Sequence, residues 1–118
     1  MKQLSFILPV FIILGGVSHF LQPEMFQAFI PEFLPRQFIN YISGFIEIIV
    51  GLAYFYKPTR LLSAQVIFLM MIVFLPLHVI DVFKEFPAIG SKIVAYIRLP
   101  IQFLLIYWAW KVLKFNKN

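Results

Sequence analysis

The chain has 118 residues, 62% of them hydrophobic and 13% charged, with a mean hydropathy of +0.91. Soluble domains run nearer about 45–50% apolar and about 25% charged, and so short a chain has too little interior to hide this much apolar surface. A water-soluble globule is excluded, and because the chain has no cysteine so are dithiol chemistry and thiolate metal sites. The net charge of +5 does not indicate nucleic acid, because the ten basic residues are scattered between apolar runs and form no stripe.

About 20 mostly apolar residues cross the hydrocarbon layer as a helix. Runs at about 4–21, 39–56, 61–80 and 96–113 predict four transmembrane helices in one domain covering 1–118. The expected fold is an all-α integral membrane protein, a four-helix bundle with short interfacial helical segments in its outer loops. The first run, behind a lone Lys2, also resembles a signal peptide with Gly16 and Ser18 near a cleavage point. Four spans are preferred, since removing the first leaves an odd number. One side then carries Lys2, Lys57, Arg60, Lys111, Lys114 and Lys117 with no acid; the other carries Arg36, Lys84, Lys92 and Arg98, diluted by Glu24, Glu32, Asp81 and Glu85. This asymmetry places both termini in the cytoplasm.

The outer connections differ from the tight Lys57-Pro58-Thr59-Arg60 turn. In residues 22–38, Met25, Phe26, Phe29, Ile30, Phe33 and Leu34 recur at helical spacing, while Pro31 and Pro35 forbid one regular helix. Short helical turns lying in the membrane interface are expected there. Residues 81–98, interrupted by Pro87 and Gly90, are expected to hug the outer surface, as a lid or as a plain seal over the helix ends. Tyr54-Phe55-Tyr56 and Tyr107-Trp108-Ala109-Trp110 read as interfacial belts.

Ionisable groups at membrane depth are expensive and normally face the protein interior with a partner. Glu47 lies mid-run with apolar residues around it, and shares a helix face with Gly44 and Gly51, which let another helix approach closely. It is expected to point into the bundle, either as a plain interhelical hydrogen bond or as a functional group. His19 closes the first run behind Gly15 and Gly16; His78 nears the end of the third, two residues after Pro76, where a kink is expected. Asp81 follows His78 by one turn and is placed to orient its ring. In the fourth run Arg98 and Gln102 share a face, with Pro100 read as a helix start. Arg98 either snorkels to the interface or pairs with Glu47, Asp81 or an anionic ligand, and Gln102 sits one turn deeper. Alternating helix directions bring His19, His78 and Arg98 into the outer half, above Gln102 and Glu47, so that one cavity is expected to hold them.

Gly16-Val17-Ser18-His19-Phe20, Pro23, Ile30-Pro31, Leu34-Pro35, Ser43-Gly44 with Glu47 and Gly51-Leu52, and Arg98-Leu99-Pro100-Ile101-Gln102 occur in this order. As a set they resemble the DoxX-like family of small bacterial membrane proteins. The resemblance implies a four-helix bundle in the bacterial inner membrane and an association with redox systems, among them a subunit of a thiosulfate:quinone oxidoreductase and proteins linked to oxidative stress. In the third run Phe74-Leu75-Pro76-Leu77-His78-Val79-Ile80-Asp81 stands where many relatives carry a Phe-Pro-Ala-Asn type motif, so no role for His78 transfers.

Three functional readings follow. In the first, His19, Glu47, His78, Asp81, Arg98 and Gln102 line an outer-facing polar pocket that binds a quinone-like or other lipophilic ligand in a redox or stress-related process. In the second, His19, Glu47 and His78 ligate a transition metal, or the histidines a haem. In the third, the bundle is a non-catalytic accessory or assembly subunit of a membrane complex. The glycine faces suit packing within one chain or in a homo-oligomer.

Overall fold

Each apolar run forms a helix in the computed structural model, which describes residues 2–24, 30, 32–83 and 92–117. The helices are α1 (Lys2–Leu21), α2 (Arg36–Tyr54), α3 (Arg60–Phe83) and α4 (Lys92–Lys117), with one 3-10 turn at Lys57–Thr59. No strand occurs among the described residues. All four helices are long and apolar enough to cross a membrane, and only between 22% and 33% of their apolar windows is buried. The remainder faces outward: Phe45, Val73 and Leu104 are each at least 60% exposed at mid-helix. Such a girdle is compatible with a multi-pass membrane protein.

The helices pair as two antiparallel hairpins, α1 with α2 and α3 with α4. Lighter seams join α2 to α3 and α1 to α4, while the backbones of the diagonal pairs stay farther apart, so the helices run in sequence order around the bundle. Small residues set the α1–α2 spacing. A Cβ added to Gly16 would stand 2.6 Å from the carbonyl oxygen of Gly44, and one added to Gly44 would stand 2.6 Å from the Cβ of His19. A Cβ on Gly51 would collide with Ile13 in the same way. The backbones therefore come close along about two helical turns, an approach that glycine permits.

The interior is divided by depth. Leu8, Ile12, Tyr54, Ala64, Ile67, Met71, Leu105, Ala109, Val112 and Leu113 form an apolar core contributed by all four helices. His19, Asn40, Glu47, Asp81 and Gln102 are buried toward the end of the bundle where α1 and α3 finish. The opposite end is closed by Arg60, whose Nε donates to the carbonyl of Tyr54 at 2.8 Å while its guanidinium lies over the rings of Phe6 (4.8 Å) and Tyr54 (5.5 Å). Thr59 Oγ1 donates to the carbonyl of Ala53 at 2.7 Å, so side chains of the turn satisfy the last carbonyls of α2. Arg60→Ala is expected to lower stability by about 1–2 kcal/mol, through the lost cap, charge and ring contacts, with Arg60→Lys restoring only part. Thermal unfolding followed by circular dichroism in detergent checks it.

Several sequence expectations are corrected. Helix α2 begins at Arg36 rather than 39: Pro35 precedes the first turn, and the amide of Ile39 already donates to its carbonyl at 3.0 Å. Pro100 is not a helix start, since α4 begins at Lys92 and runs through it. Ala95, 2% exposed, packs in the interior, so burial of the turns before Pro100 outweighs the bond that the proline removes. Helix α3 extends beyond its apolar run to Phe83, with Pro76 inside it. Tyr54 is no belt residue: it is fully buried, its ring meets Phe6 edge-on at 5.4 Å, and its hydroxyl accepts from Asn116 Nδ2 at 2.9 Å. The interfacial turns expected in the outer connections fall largely on residues 25–29, 31 and 84–91, outside the described residues, while Asp81–Phe83 and Lys92–Arg98 belong to α3 and α4.

Candidate functional site

The six predicted polar residues fall into two groups, one in each hairpin. His19, in the last turn of α1, is 8% exposed and faces α2. Its Nε2 stands 2.8 Å from Glu47 Oε2, and its Nδ1 stands 2.7 Å from Asn40 Oδ1. Asn40 was not anticipated. Its Nδ2 donates to the carbonyl of His19 at 2.8 Å, which fixes the amide so that Oδ1 faces the ring as an acceptor. His19 Nδ1 therefore carries a proton and donates it to Asn40.

That assignment constrains the other side of the ring. A single proton belongs between Nε2 and Oε2: on the ring it gives imidazolium and carboxylate, on the carboxyl a neutral pair. Both arrangements keep the contact and have zero net charge, so the pair sits in an apolar bundle without an isolated charge. Apart from His19, Oε2 has no hydrogen-bond partner among the described residues. Ordinary contact at 3.6 Å would remain between Glu47 Oε1 and a Cβ on Gly15, so the α1 glycines leave room for the carboxyl as well as for the α2 backbone.

The second hairpin holds His78, Asp81, Arg98 and Gln102. His78 is partly buried, and the charges of Asp81 and Arg98 both act on it. Asp81 is 1% exposed, deeper than an interfacial acid would be. Arg98 does not simply snorkel, because its Nη1 is buried without a hydrogen-bond partner among the described residues. Gln102, fully buried, donates from Nε2 to the carbonyl of Met71 at 2.6 Å, tying α4 to α3, and its Oε1 is left without a partner among those residues.

The expected metal-ligand set of His19, Glu47 and His78 is not assembled: among the described residues no three His, Asp or Glu side chains gather. Glu47 spends its reach on His19 across the α1–α2 contact, while His78 lies on α3 with Asp81, near Arg98 of α4. An open groove of about 510 Å³ at the start of α2 is lined by Pro35, Arg36, Gln37, Phe38 and Tyr41, and contains none of the six predicted residues.

Residues 8–113 match a protein family described as a domain of unknown function, DUF8561. The chain belongs to this family. The matched span contains both buried groups of the DUF8561 domain and most of all four helices. No curated protein and no solved structure matches the chain.

Proposed function

We propose that this DUF8561 chain is a small multi-pass membrane protein, similar to the DoxX-like proteins, that holds the head group of a quinone-like lipophilic ligand in the polar outer half of its bundle. Its setting would be the bacterial inner membrane, with both termini cytoplasmic, in a redox or stress-related process. The observation that carries the reading is the pair of buried, unpartnered atoms one turn apart on α4: Arg98 Nη1, a donor, and Gln102 Oε1, an acceptor. Buried polar groups are normally satisfied, and each orphan costs about 1–3 kcal/mol, so two together on one face indicate a missing partner. The apolar girdle admits a lipophilic tail, and the hydrogen-bonding groups suit a polar head.

The test is retention of ligand by protein purified in mild detergent. Solvent extraction is expected to release a quinone-class molecule, and added duroquinone is expected to stay with the folded protein on gel filtration. A folded protein that neither carries nor retains a quinone overturns the reading. A larger protein co-purifying with ligand-free chain would support the accessory-subunit reading instead.

A further inference from the structure

We infer that the Arg98–Gln102 face selects its head group by a hydroxyl, taking a phenol or quinol in preference to the oxidised quinone. This rests on the ligand-binding reading above and adds to it which oxidation level of the head group fits.

The argument starts from the fixed amide of Gln102. With Nε2 committed to the carbonyl of Met71 at 2.6 Å, turning the amide over would set two acceptor oxygens against each other. Oε1 is therefore an acceptor of settled direction, on a fully buried side chain, with no donor among the described residues. Arg98 precedes Gln102 by four residues, which puts both on one face of α4 with about 5–6 Å between their Cβ atoms. Its Nη1 makes the opposite demand, for an acceptor.

One hydroxyl group meets both demands, since its oxygen accepts from Arg98 while its hydrogen goes to Gln102. A quinone carbonyl meets only the first, and by displacing any water it leaves Oε1 buried and bare. A carboxylic acid fails in the same way, because beside a guanidinium it ionises and becomes acceptor-only. Sites built around a substrate hydroxyl reject analogues without it, because the site's own polar group is then left unpaired.

The experiment uses the full chain in mild detergent, titrated anaerobically with duroquinol and with duroquinone, which share ring and methyl groups. Duroquinol is expected to bind tighter by about tenfold or more. Gln102→Met, close in volume, is expected to abolish that preference, chiefly by tightening duroquinone, whose binding no longer leaves a bare acceptor. Gln102→Leu, which also lacks an acceptor, is expected to abolish it as well and serves if the methionine variant misfolds. Equal affinities in the folded protein, or tighter duroquinone, overturn the hydroxyl selection and leave the ligand reading standing. Binding of neither overturns both.

Discussion

Gly16→Ala and Gly44→Ala are each expected to destabilise the bundle by about 3 kcal/mol, whereas the neighbouring Gly15→Ala is expected to be neutral or mildly stabilising. The difference lies in what a methyl group meets. At Gly16 it would stand 2.6 Å from a backbone carbonyl, that of Gly44, and at Gly44 it would stand 2.8 Å from the carbonyl of Gly16 and 2.6 Å from the His19 Cβ. None of these is the far end of a flexible chain, so relief requires the helices to separate, which puts the cost at the upper end for overpacking. Separation would also pull His19 away from Asn40 and Glu47. At Gly15 the nearest atom is Glu47 Oε1 at 3.6 Å, ordinary contact, and alanine gains the helix propensity that glycine lacks. Thermal unfolding of the three variants in one detergent checks the prediction; equal losses at Gly15 and Gly16 would mean that the backbone contact does not govern the hairpin.

The four helices were legible because lipid-facing surface must be apolar around most of a helix, which hydropathy detects directly. Helix ends were less legible. Arg36, Gln37, Lys92, Lys114 and Lys117 are polar and lower a hydropathy average, yet each lies within a helix that extends beyond its apolar run. Pro100 reads as a helix start because an interior proline loses a backbone hydrogen bond, but the burial of Ala95 carries the helix through it.

Glu47 and His19 could be found because ionisable groups inside apolar runs stand out, and Gly44 and Gly51 gave the face. Asn40 carries no charge and lies only five residues into α2, so it lacks the mark of an ionisable group inside an apolar run. The signal was present in spacing: Asn40, Gly44, Glu47 and Gly51 recur at i, i+4, i+7 and i+11, one continuous face, and all four are buried. What no spacing reveals is that Glu47 and His19 turn to each other rather than to a common centre with His78. That depends on which helices are neighbours, and the ring order of the bundle comes from contacts across the whole chain.

The pairing makes a quantitative demand. His19→Leu is expected to cost about 2–3 kcal/mol, between the roughly 0.6 kcal/mol of an average neutral interhelical hydrogen bond and the roughly 3–5 kcal/mol of breaking a buried ion pair. The value falls between because the pair can hold its one proton on either partner, and because losing the ring also strips Asn40 Oδ1 of its donor. Glu47→Leu is expected to cost less than His19→Leu, since Asn40 keeps its bond to the ring and only Nε2 is orphaned. Glu47→Gln is expected to cost about 1 kcal/mol or less, because the amide can donate to Nε2 of a ring whose proton is held on Nδ1. The double variant His19→Leu/Glu47→Leu is then expected to be more stable than the sum of its parts predicts, by at least about 1 kcal/mol, because neither partner remains to be orphaned. A double-mutant cycle of unfolding free energies in detergent measures this coupling. Additive losses would mean that the 2.8 Å contact contributes nothing as a pair, and would leave the glycine approach as the main determinant of the α1–α2 hairpin.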